Sequence, residues 1–300
     1  MKRILLCSLL LLPALAFAQD YLDQFPQRKQ TEYFDFRYRR ASPRIAEIAR
    51  FADGFIKIVN RDFFKADFDY PIRVLVLEDR ASFKEFLRQE FHISDPPDFG
   101  IYVTPLKLFA TYEDSGLGTF AHEIMHPLVE RNLPDRPAWA LEGIPTFFEK
   151  SYGYWTNADL VVQWGFQNPW RIDQLATNLT TLDLKEIVSY KAEQSAYSQL
   201  QNYESKQRMV SMFLWRQGRF KGFLQLVATR EKNGYPTYFE AAMEMPIERI
   251  LPLWQDYLNN VATKRIEIML LPASTIFNSH AAFRGFAVAS GLPPENVSQR

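Results

Sequence analysis

The chain has 300 residues, 47% hydrophobic and 23% charged, with 35 basic against 35 acidic side chains. That length accommodates one large domain or two modest ones, and the even charge balance, with no basic stripe interleaved with aromatics, speaks against a nucleic-acid partner. With only 12 Gly, 25 Phe and no internal repeat, a loop-rich or repetitive design is excluded in favour of a sizeable packed core.

The first residues read as a targeting segment. Lys2 and Arg3 precede an apolar stretch from Ile4 to Leu15, broken only by Ser8 and Pro13, and Ala16-Phe17-Ala18 places small residues before Gln19. This predicts a signal peptide over 1–18 and an exported protein, periplasmic or secreted. The apolar stretch is too short for a comfortable membrane span. Cys7, the one cysteine, lies within it, so the processed chain has no disulfide and any metal ligands must be His or carboxylate. Loss of Lys2 and Arg3 leaves 33 basic against 35 acidic residues.

Residues 19–31 are polar and read as a loose leader. Tyr33 to Tyr38 alternates aromatic and polar, a strand signal. Ser42-Pro43 opens a helix with Ile45, Ile48, Ala49, Ala52, Phe55, Ile56 and Val59 at helical spacing. Pro71 to Leu77 reads as a buried strand, Arg80 to Phe91 as a helix, and Ile101 to Tyr112 as two short strands. A helix starts near Ser115, a suitable N-cap. Another spans Pro137 to Tyr152, capped by Asp135 with Pro137 in its first turn. Further helices follow at Ser205 to Arg216, Lys221 to Glu231 and Ile247 to Tyr257. Arg265 to Leu271 reads as a late strand and Pro293 to Arg300 as a frayed tail. The expected fold is α+β: an α/β part over 19–134, a mainly helical part over 135–262, and a segment 263–300 assigned to neither.

Residues 122–126 read His-Glu-Ile-Met-His. In a helix, positions i and i+4 face the same way, so His122 and His126 can address one metal ion. Glu123 stands roughly 100° round the helix, placed to activate a water rather than to bind metal. A catalytic zinc takes three protein ligands. Glu130 lies about 12 Å from His122 along the axis, too far along one line for a tetrahedral site. Glu142 follows a turn through Asn132-Leu133-Pro134 and returns on a second helix, in Trp139-Ala-Leu-Glu-Gly143. Gly143 beside it lets the other helix approach closely.

H-E-x-x-H followed by W-x-x-E-G resembles the gluzincin metallopeptidases, which include the aminopeptidase N and thermolysin types, and is most similar to the bacterial peptidase-MA-like families. The order of elements agrees from Tyr33 to Leu258. The resemblance implies a zincin-like α/β part, a Zn2+ cofactor on His122, His126 and Glu142, Glu123 as general base, and a peptide or protein substrate. It also implies that Glu149 supports the site from behind, orienting a ligand histidine. The stretch from Tyr203 to Gly218 resembles the family's Tyr-led helix, making Tyr203 the expected oxyanion donor, with Tyr197 as the alternative. Three positions depart from the pattern: Pro127 after the second His, Pro145 in place of Ala and Phe147 in place of Tyr.

Weaker signals are the Lys107 to Tyr112 strand, which in this fold type can form the upper edge of the cleft and pair with substrate, and an aromatic group of Tyr152, Tyr154, Trp155, Trp164, Phe166 and Trp170, expected chiefly as packing. His92 and His280 carry no motif. Asn178-Leu179-Thr180 and Asn296-Val297-Ser298 match a glycosylation acceptor, discounted for a bacterial-type signal. Two rival functions remain: a catalytically inactive zinc-site scaffold, and a zinc hydrolase of a non-peptide bond.

Overall fold

The computed structural model describes residues 21–64, 71–157, 159–189, 200–271 and 273–290. The expected signal peptide, Tyr197, the second acceptor motif and the C-terminal tail therefore lie outside the described residues. The chain divides into two compact units, one comprising Met1–Ile56 with Asp67–Ile124, the other Lys57–Ala66 with Met125–Arg300. The architecture is α+β with a helical C-terminal part.

The elements ahead of the motif helix α3 (Leu117–Asn132) are β1 (Gln27–Gln30), β2 (Phe34–Tyr38), α1 (Pro43–Val59), β3 (Ile72–Leu77), α2 (Arg80–Glu90), β4 (Gly100–Val103) and β5 (Leu108–Tyr112), all in the first unit except the end of α1 from Lys57 on. The sheet order is β1-β2-β3-β5-β4. The three central strands are parallel, while β1 and β4 are antiparallel edges. Parallel strands covered on both faces read as continuous apolar runs, and Ile-Arg-Val-Leu-Val-Leu of β3 is such a run, buried except at Arg73. The seven apolar positions predicted for α1 are all buried. On one face of the sheet, Leu75 and Leu77 pack with Phe83, Phe86 and Leu87 of α2. The supposed leader is part of this core: Tyr21 and Phe25 are buried in it, with Phe25 edge-on to Phe86 at 5.5 Å. Asp79 caps α2 by accepting from the Ser82 amide at 2.8 Å.

The motif helix α3 is continuous from one unit into the next, the division falling between Ile124 and Met125. Pro127 does not end it, although proline brings no backbone N–H to the helix at that position. The next helix is shorter than expected. It is α4 (Ala140–Phe148), because Pro137 precedes the first turn rather than joining it, and Tyr152–Trp155 forms strand β6, paired with β7 (Leu160–Gln163). Asp135 does not cap α4; it pairs with Arg230 at 3.1 Å. The second unit continues through α5 (Pro169–Gln174), α6 (Leu184–Val188), α7 (Leu200–Arg216), α8 (Phe220–Thr229), α9 (Tyr238–Met243), α10 (Ile247–Thr263) and α11 (Arg265–Met269) to β8 (Thr275–Phe277) and α12 (His280–Ala289). Arg265 to Leu271, expected as a strand, is thus largely helical, and the late strand is β8, parallel to β6.

Most of the aromatic group packs. Tyr152 meets Phe166 and Phe286, Trp164 meets Phe148, and Tyr154 stacks near His280 and Phe283. No helix among the described residues is long and apolar enough to cross a membrane.

Candidate metal centre

The i, i+4 spacing brings the motif side chains together as helix geometry requires. Ligand atoms of His122, Glu123 and His126 lie within 4.8 Å of one another. His122 and Glu123 are each 7% exposed, and His126 is little more so. Buried polar groups of this kind are costly unless satisfied, so two of them beside a partly buried histidine stand out from an ordinary helix surface.

Glu142 enters from α4. Its Oε2 lies 3.7 Å from His126 Nε2, close to the roughly 3.4 Å edge of a tetrahedron built on ~2.1 Å metal–ligand bonds. Trp139 seats the start of α4 in the core, 1% exposed and 5.0 Å from Phe223. Gly143 permits a close helix approach, but the partner is α7 rather than the motif helix: a Cβ there would fall 2.9 Å from the Gln207 carbonyl oxygen. Arg136, in the turn between α3 and α4, stands near both glutamates. Burial holds its guanidinium below the usual range, against the pull of Glu130 and Glu142.

The strand that overlies Glu123 is β4. A Cβ on Gly100 would fall 2.8 Å from Thr119 Cγ2 and 3.1 Å from Glu123 Cγ, so only glycine lets this strand pass so near. The expectation that Lys107 to Tyr112 forms the upper edge is corrected: β5 is interior, hydrogen-bonded on one side to β3 and on the other to β4. The edge is β4, because the chain turns back through Thr104–Leu106 and inserts the later strand inside the earlier one.

Glu149, at the end of α4, is held by Arg171, with Nε to Oε2 at 3.0 Å and Nη2 to Oε1 at 2.5 Å, and Asn168 Nδ2 donates to Oε2 at 3.0 Å. Arg171 Nη1 also donates to Glu204 Oε2 at 2.6 Å. Glu204 follows Tyr203, which is half-buried on α7. Burial opposes the charge on Arg171, but Glu149 and Glu204 hold its guanidinium above the usual range. Arg208, fully buried one turn beyond Glu204, donates to the Phe166 carbonyl at 2.7 Å; burial brings it down to about 10. The sequence reading missed Gly100, Arg171 and Glu204. Asn168-Pro169 signals a helix start, but nothing local shows that Arg171 reaches back to Glu149.

No protein-family model matches the chain, and comparison with curated proteins finds no significant match. The functional reading rests on the site's own geometry. Two imidazoles and a carboxylate are a donor set of the kind zinc takes; the clustered ligand atoms are those of His122, Glu123 and His126, and Glu142 approaches His126.

Proposed function

We propose that the protein is a zinc-dependent peptidase of gluzincin type. The observation that carries this reading is the His122–Glu123–His126 group on one unbroken helix, its first two members buried, with Glu142 3.7 Å from His126. His122, His126 and Glu142 would hold Zn2+, which when bound supplies a Lewis acid that polarises a carbonyl and lowers the pKa of a water. Glu123 is the general base: its carboxylate takes a proton from the attacking water and later delivers it to the departing amine as the C–N bond breaks. Tyr203 would donate its O–H to the oxyanion. A buried base beside the ligand set supports turnover over a scaffold role, since metal holding alone needs no such group. The edge strand β4, passing over Glu123 at Gly100, supports an extended peptide as substrate, because a sheet edge recognises backbone N–H and C=O groups.

The test is digestion of a peptide library by the purified protein with and without chelator, with zinc per chain measured by elemental analysis. Glu123→Gln should keep the zinc and lose about 10²–10⁴-fold in turnover. Glu142→Ala should lose most of the zinc and Glu130→Ala should keep it. Wild-type turnover in Glu123→Gln, or an empty Glu130→Ala beside a loaded Glu142→Ala, refutes the assignment.

A further inference from the structure

We propose that Arg171 is a positioning residue for the metal site, setting the helix that carries Glu142 in register with the helix that carries Tyr203; this rests on the zinc reading above. The argument begins with the weakness of α4. It has nine residues, and Pro145 lies inside it. Pro145 has no N–H, so the carbonyl of Leu141, next to Glu142, lacks its helical donor. A helix this short has little stability of its own, and the direction of Glu142 depends on what grips the helix from outside.

The grip at its far end is Glu149. It stands seven residues after Glu142, about 10 Å along the axis and within roughly 20° of the same face. Arg171 takes both of its carboxylate oxygens and reaches Glu204 with its remaining nitrogen. The Glu149 carbonyl is held as well, by Ser274 Oγ at 2.7 Å. One planar guanidinium therefore joins the end of α4 to the first turns of α7, with a fork that a lysine ammonium does not have. At 3% exposure, the charge-assisted bonds are directional and hard to replace with water.

Charge accounting supports a geometric role. Glu149, Arg171 and Arg208 are buried, Glu204 is partly exposed, and buried Lys150 stands near Arg208, so two negative charges face three positive ones. Taking charges out of water is costly, and buried ion pairs are in general no more stabilising than apolar packing of equal volume. What the directional bonds of this network add over a hydrophobic cluster is a constraint on how its backbones are arranged. Here the backbones are those bearing Glu142 and Tyr203. Groups that orient metal ligands from behind typically change affinity 10–100-fold when altered.

The experiment is zinc affinity by competition with a chromophoric chelator, alongside the thermal midpoint of the zinc-free protein. Arg171→Lys keeps the charge and loses the fork. It is expected to stay folded, with zinc affinity weakened about tenfold or more. Glu204→Gln, which keeps an acceptor but loses the charge, should weaken zinc less. Arg28→Lys, altering a half-exposed pair with Asp35 in the first unit, should leave affinity unchanged. A folded Arg171→Lys that binds zinc within twofold of wild type overturns the proposal. Should Arg171→Lys fail to fold, Glu204→Gln and Asn168→Ala decide: wild-type affinity in both overturns it, and weakened affinity in either supports it. A wild-type protein that binds no zinc refutes the zinc reading and this inference with it, whereas a zinc-binding wild type with an indifferent Arg171→Lys refutes the inference alone.

Discussion

Gly143→Ala sets two opposing effects against each other at the residue beside Glu142. In a helix interior, Ala is favoured over Gly by about 1 kcal/mol. At this position the added methyl would lie 2.9 Å from the Gln207 carbonyl oxygen, 3.1 Å from Trp139 Cε3 and 3.2 Å from Ser211 Oγ. Gln207 and Ser211 are one turn apart on α7, and the nearest atom the methyl meets is a backbone oxygen, which cannot swing away as a side chain can. Overpacking of this kind costs about 1–3 kcal/mol, leaving a net loss on the order of 1 kcal/mol and at most about 2. For a protein of this size that lowers the thermal midpoint by roughly 2–4 °C per kcal/mol. Gly222→Ala is the matched control. It lies in α8 with nothing within 4 Å of the new methyl, so propensity alone acts and the midpoint should rise. The assay is thermal and urea unfolding of both variants. If Gly143→Ala is stabilised as much as Gly222→Ala, α4 and α7 do not approach as described, and the close packing that seats Glu142 is wrong.

Two further outcomes are expected. Tyr203→Phe should lower turnover about 10²–10³-fold with zinc content unchanged; if Tyr197→Phe shows that loss instead, the oxyanion donor is misassigned. Lys150 is 3% exposed, and burial, reinforced by Arg208, brings its ammonium down to about 8. Between pH 8 and its unfolded value near 10.4, the unfolded chain holds a proton that the native state has released, so this group makes stability rise with pH in that window. Lys150→Met should therefore stabilise the protein at pH 7 by no more than about 3 kcal/mol, with the advantage fading toward pH 10. An advantage that is the same at both pH values would show that Lys150 is not strained by its charge.

What the sequence alone determined is what local periodicity encodes. The apolar spacing of α1 specifies its buried face because 3.6 residues per turn leave one stripe for the core. The apolar run of β3, interrupted only at Arg73, specifies a strand covered on both faces. The i, i+4 spacing of His122 and His126 brings them together whatever surrounds the helix. The approach of Glu142 to His126 has a related cause: the turn after Asn132 brings the chain back, and Trp139 supplies an apolar anchor beside it. Tertiary structure decided the rest. β4 and β5 are similar short strands, and only pairing with β3 makes one interior and the other the edge over Glu123. The apolar run at Arg265 to Leu271 suits strand or helix equally, and its neighbours chose helix. Gly143 signalled a close approach, but which helix approaches depends on where α7 packs. Arg171 carries no sequence signal at all, because an ion pair across 22 residues is set by the meeting of α4, α5 and α7, and an arginine in water and an arginine at the hub of a buried network are the same letter until the chain has folded.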